Sequence, residues 1–186
     1  LQKLPNNLSY MDPTITLKGR PANLIFKFIL PKYSRNGKYF FVDIPENWNQ
    51  TLSNKSNSYK LVQTRAGPCG LFAILNAYMV NNFKFHRSSA EDTLHGAILD
   101  IMLKLRQTYA FCTDFKLGRN NDTEASDSEL TFFVTKDRGE AQSFLMEYEY
   151  CFHRSATFLL MVSFVFLAGP QLLNTFAFPE PFITHD

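Results

Sequence analysis

Two kinds of apolar spacing recur along this chain. After Cys69, Leu71, Ile74, Leu75 and Tyr78 stand at i, i+3, i+4 and i+7, the pattern of one buried helix face. Phe72, Met79 and Phe83 broaden that face, so the helix is expected to be central. Thr93 to Leu105 repeats the pattern, with Leu94, Ile98, Ile101, Met102 and Leu105 expected inward. Ala156 to Ala168 is apolar nearly all round, as in a helix packed on both sides. That stretch is shorter than the roughly 18 to 20 residues needed to cross a membrane. Gly169-Pro170 then closes it as a helix end.

The other spacing is alternation. Leu24, Phe26, Phe28 and Leu30 occupy every second position and predict a strand. Tyr39 to Ile44 predicts a second one, and Asn36-Gly37 between them signals a hairpin turn. Pro31 limits the first strand to an edge. Pro45 to Ser58 is rich in Asn, Ser and Gln and reads as a solvated loop. Leu117 to Glu129 reads as a mobile polar segment. Its Asp122, Glu124, Asp127 and Glu129 match no calcium-loop spacing and read as solvated charge. Strands mixed with helices place the chain in the α+β class.

Composition narrows the function. Lys and Arg number 19 against 17 Asp and Glu, a net charge of +2. With no basic block interleaved with aromatics, no nucleic-acid partner is expected. The three cysteines, Cys69, Cys112 and Cys151, form no CxxC pair, which argues against a disulfide framework and a zinc site. A reducing compartment, cytoplasm or nucleus, follows. The Asn-x-Ser/Thr sequons at Asn7, Asn49, Asn54 and Asn121 are read as chance occurrences in polar loops. Hydrophobic residues make up 45% of the chain and Phe alone numbers 19.

The candidate chemistry lies in Leu61-Val62-Gln63-Thr64-Arg65-Ala66-Gly67-Pro68-Cys69-Gly70. Gly67 suits a helix N-cap and Pro68 the first helical position. Cys69 then falls in the first turn, where the helix dipole favours a thiolate. Gly70 adds no Cβ beside the thiol, so a substrate backbone has room to approach. Gln63 carries an amide able to donate to a developing oxyanion beside the Cys69 N–H. The bland alternative is that Cys69 is a small buried hydrophobe.

Gln63 to Gly70, continuing through Leu71-Phe72-Ala73-Ile74, resembles the signature of the MINDY family of deubiquitinating cysteine peptidases. The likeness is to its Gly-Gly-Pro-Cys-Gly branch. Ala66 replaces the first glycine, and Asn76 stands where that branch often has Gln, a change expected to matter little. Leu130-Thr131, Ser143-Phe144-Leu145 and the apolar run Phe158 to Leu167 resemble the family's later strand, helix and apolar helix in order. Phe176-Ala177-Phe178-Pro179 to His185 resembles a later segment that in the family runs on.

The resemblance implies a papain-like cysteine peptidase fold, incomplete at its C-terminus, with residues 1–58 as an N-terminal region and 59–186 as the first part of a catalytic domain. It implies hydrolysis of isopeptide bonds between ubiquitin units, with a preference for the lysine linkage that targets proteins to the proteasome. Cys69 is then the nucleophile and Gln63 the oxyanion donor, polyubiquitin is the partner, and no metal or organic cofactor is needed. The family's catalytic histidine lies in a segment not matched by His86, His95, His153 or His185. His86 and His95 read as surface residues, and His153 as part of a helix start or loop.

A chain read as truncated, beginning at Leu1, is expected to have little or no turnover and to leave some Phe side chains exposed and prone to aggregation. Two other classes remain open. One is a catalytically inactive ubiquitin-binding protein. The other is an unrelated cysteine amidase or acyltransferase using the same nucleophile turn.

Overall fold

The computed structural model describes residues 14–29, 32–35, 38–41, 50–52, 61–63, 69–86, 89–118, 127–148 and 156–169. Its elements run in the order β1 (Thr14–Lys18), α1 (Arg20–Ile29), β2 (Lys32–Arg35), β3 (Lys38–Phe41), β4 (Gln50–Leu52), β5 (Leu61–Gln63) and α2 (Cys69–His86). They continue through α3 (Ala90–Leu105), β6 (Tyr109–Lys116), β7 (Glu129–Thr135), α4 (Arg138–Glu147) and α5 (Ala156–Ala168). The class is mixed α+β.

The main sheet has the order β1-β7-β6, antiparallel throughout. The central strand β7 puts Leu130 and Phe132 fully out of solvent. Strand β6 was not legible as a strand. Its first five residues are all buried, so they show no alternation, and its register shifts between Cys112 and Asp114. Such a bulge re-aims backbone groups. Here the Cys112 N–H donates to Ser163 Oγ of α5 at 2.8 Å, and that hydroxyl donates to Leu159 O at 2.7 Å. Helix α5 thereby covers an otherwise open sheet edge.

The expected strand at Leu24 to Leu30 is instead helix α1. Ala22, Ile25, Phe26 and Ile29 are buried at i, i+3, i+4 and i+7, while Leu24 is 46% exposed. Helical spacing therefore outweighs the apparent alternation. Gly19 makes the entry turn at φ 65°, its N–H bonded to Ser128 O and its C=O accepting from the Asn23 N–H. Positive φ suits glycine because other residues meet their own Cβ there. Pro21, in the first turn, loses no helical hydrogen bond.

The hairpin flanking Asn36 and Gly37 is present, but its first strand is β2, with Arg35 paired to Lys38. The two turn residues and 42–44 lie outside the described residues. Part of the expected loop from Pro45 to Ser58 is strand β4, which pairs with β5. The rest of that stretch, Gly67, Pro68, the four sequon asparagines, His153, Cys151 and residues 170–186 also lie outside them.

Helix α3 starts on Ser89, whose Oγ accepts from the Asp92 N–H at 3.0 Å, with Glu91 and Asp92 in the first turn and Lys104 in the last. This charge order complements the helix dipole. Leu94, Ile98, Ile101 and Met102 face inward as expected, but Leu105, at the last turn, is 39% exposed. Asp137 caps α4 by accepting from the Glu140 N–H at 2.8 Å. Helix α5 coincides with the apolar run read from the sequence, and Gly169 ends it at φ 79°.

These elements share one apolar core. Phe144 stacks at 4.9 Å on both Phe111 and Phe133, and Phe26 of α1 joins Phe158 of α5. The first 58 residues contribute both β1 and α1 to this sheet and core. None of the large apolar side chains exposed among the described residues is a Phe; the side chains of Phe40, Phe41, Phe83, Phe85, Phe152, Phe176, Phe178 and Phe182 lie outside them. No described helix is long and apolar enough to cross a membrane. Asp127 and Glu129 pair with Lys116 and Lys18 across exposed surface, where ion pairs add little stability.

Candidate active site

Cys69 is the first residue of α2 and is exposed. The helix sits on the core through Phe72, Leu75 and Met79, buried at i, i+3 and i+7. Ile74, expected inward, is 52% exposed. It lies with Gly70, Ala73 and Ala77 on the outer side of α2, the side that carries Cys69. The helix is thus half covered rather than central. No carboxylate stands in its first turn to oppose an anion beside the thiol. Among the described residues a Cβ built on Gly70 meets nothing within 4 Å, so they leave the space beside Cys69 open.

Gln63 is the last residue of β5, the short strand that leads towards α2. Its side chain and residues 64–68 lie outside the described residues. Two hydrogen bonds tie β5 to α2. The Leu61 N–H donates to Asn76 Oδ1 at 2.7 Å, and Asn76 Nδ2 donates to Leu61 O at 3.1 Å. Leu61 itself is buried. Asn76 therefore has a structural role that the sequence reading does not assign to it. An amide at a half-buried helix position can satisfy both backbone groups of an adjacent strand residue.

Further along, α2 is braced by α3. Asn82 Nδ2 donates to Asp100 Oδ2 at 3.1 Å, and Arg138 of α4 donates to Asp100 Oδ1 at 2.9 Å. Lys104 lies 5.4 Å from the centre of the Tyr78 ring. Contacts at Tyr78–Lys104 and Asn82–Asp100 run in opposite directions along the two helices, so they are antiparallel.

That arrangement decides the place of one histidine. His95, read from sequence as a surface residue, is 1% exposed. It is followed by Ile98, Leu99 and Met102 at i+3, i+4 and i+7, so it lies on a core-facing stripe of α3 that the sequence does show. Neither ring nitrogen has a hydrogen-bond partner among the described residues. Burial holds its imidazole below the usual histidine range, against the opposing pull of Glu91 and Asp92. Its neighbour Gly96 faces Asn82. Asn82 is thirteen residues along α2 from Cys69, about 20 Å at 1.5 Å per residue. His95 is therefore remote from the thiol. The His86 side chain, His153 and His185 lie outside the described residues.

Cys112 is a different kind of cysteine. It is fully buried on β6, and burial pushes its thiol far up, with the nearby Asp114 charge adding to the shift. Such a thiol is a packing group rather than a nucleophile. Among the described residues no cluster of His, Cys, Asp or Glu is arranged to hold a metal ion. Asp122 and Glu124 of the acidic segment lie outside them.

No family model, curated protein or solved structure matches this chain.

Proposed function

We propose that this chain carries the nucleophile half of a cysteine-type deubiquitinase of papain-like architecture, acting in the cytoplasm or nucleus. The observation that supports the reading most is the exposed Cys69 at the first position of α2, beside open space at Gly70, within a motif that resembles the MINDY signature. In this reading the Cys69 thiolate adds to the carbonyl carbon at the ubiquitin C-terminus. The oxyanion is held by the Cys69 N–H and, by the resemblance, the Gln63 amide. The C–N bond then breaks, the lysine amine leaves with a proton from a histidine base, and water hydrolyses the thioester. Polyubiquitin joined through the proteasome-targeting lysine linkage is the proposed substrate. The base is a histidine other than His95, whose place in α3 is too far from Cys69.

A second reading draws on that same distance. A site with an exposed thiol whose one described histidine is remote also fits a ubiquitin-binding module without turnover. A fluorogenic amide of the ubiquitin C-terminus distinguishes the two. Cleavage that disappears in Cys69→Ala supports the peptidase. Saturable binding of ubiquitin with no cleavage supports the binding module. Absence of both removes ubiquitin as the partner and leaves the unrelated cysteine amidase or acyltransferase.

A further inference from the structure

We propose that Asn76 is the positioning residue of this site: its side-chain amide locks β5 against α2 and so fixes where the strand ending in Gln63 stands relative to Cys69. The inference rests on the deubiquitinase reading for its functional consequence and on geometry for its physical basis. Leu61 of β5 bonds to α2 through its backbone donor and acceptor together. A single hydrogen bond leaves a strand free to swivel. Two bonds from one planar amide fix both its distance and its direction.

Backbone polar groups alternate between the two edges of a strand. Leu61 spends its N–H and C=O on Asn76, so that edge of β5 faces α2 while Val62 pairs towards Thr51 on β4. Gln63, two residues on, turns its own N–H and C=O to the same edge as Leu61. Asn76 thus sets which edge of β5 meets the nucleophile helix, two residues before Gln63 and seven after Cys69. The strand has three residues and pairs with another of three. So short a ladder holds its place weakly alone, so the Asn76 amide and the buried Leu61 side chain both bear on where β5 stands against α2.

The role differs from general stabilisation because Asn76 lies far from the thiol along its helix, and its loss leaves Cys69 and Gly70 untouched. The test uses Asn76→Leu in the full chain, a change that keeps the branched shape and removes both bonds, with exposed Asn81→Ala as the control. Three rates are measured: covalent capture of a ubiquitin probe with an electrophilic C-terminus, alkylation of Cys69 by iodoacetamide, and hydrogen exchange at the Leu61 amide.

The expected result is probe capture slowed by about 10- to 100-fold, with Cys69 alkylation unchanged and Leu61 exchange faster by roughly tenfold or more while α3 stays protected. A merely structural role moves capture and alkylation together, and that outcome overturns the proposal. So does wild-type capture in a variant whose Leu61 amide has opened. If Asn76→Leu does not fold, Asn76→Asp keeps an acceptor for the Leu61 N–H and loses the donor to Leu61 O. An intermediate capture rate then supports the proposal and a wild-type rate overturns it. If the wild type captures no probe, the deubiquitinase reading falls by itself. The clamp is then judged by Leu61 exchange: unchanged protection in the variant overturns it, and faster exchange upholds the tie between β5 and α2.

Discussion

Phe26 of α1 and Phe158 of α5 lie ring to ring, with centroids 6.3 Å apart and planes 3° from parallel. Both are fully buried, and Phe115 of β6 meets each of them edge-on. An early helix and the last described helix are therefore parts of one core. Phe26→Ala is expected to cost about 3–5 kcal/mol, the range for emptying a buried phenylalanine site. Urea unfolding measures it. A loss below about 1 kcal/mol, typical of a surface change, would show that α1 is not seated on the sheet.

How much of this was legible in the sequence depended on what each segment had to satisfy. Helix α5 was readable because its apolar run ends at a glycine with positive φ, so length and boundary agreed. Helix α2 was readable at its start, but its outer side was not, because Ile74 and Val80 are apolar and exposed. Residues 24–30 fit both periods, and only Ala22 and Ile25 break the tie towards a helix. Strand β6 is buried on both faces and carries a bulge, so neither alternation nor length announced it. At the candidate site the thiol was foreseeable from its motif. The Asn76 clamp depends on a contact fifteen residues apart, which no local pattern contains.

His95 gives the protein a pH dependence whose sign can be worked out. Its folded-state pKa lies below the ordinary value of 6.5, so the unfolded chain takes up the proton first. Stability from this group is complete above about pH 6.5 and falls as pH drops below it, by at most about 1.4 kcal/mol per pH unit. The loss stops growing once pH is below the lowered folded value. Urea midpoints at several pH values between neutrality and pH 5 should fall less steeply in His95→Leu than in the wild type. Equal slopes in the two proteins would mean that His95 is not held neutral in the core.

The two described cysteines should differ in reactivity by far more than sequence context suggests. Cys69 is exposed, whereas Cys112 is fully buried with its thiol pushed up by that burial. Iodoacetamide under native conditions is expected to modify Cys69 and spare Cys112 until denaturant is added, as peptide mass mapping reads directly. Native alkylation of Cys112 at a rate near that of Cys69 would contradict the packing of α5 over β6.

Gly70→Ala separates folding from function. A Cβ there meets none of the described residues within 4 Å, and alanine is the better helix former by up to about 1 kcal/mol. Thermal stability should be unchanged or slightly higher. If the open space beside Cys69 admits a substrate backbone, capture of the ubiquitin probe should slow in this variant while iodoacetamide still reaches the thiol. Unimpaired capture would place the substrate elsewhere around Cys69.

The central claim is that Cys69 is the nucleophile of a ubiquitin-directed site. Intact mass after incubation with a ubiquitin probe bearing an electrophilic C-terminus tests it most directly, on the wild type and on Cys69→Ala. The account predicts one probe added to the wild type, mapped to Cys69, and none to the variant. A folded wild-type chain that gains no probe, or an adduct that persists in Cys69→Ala, would contradict it.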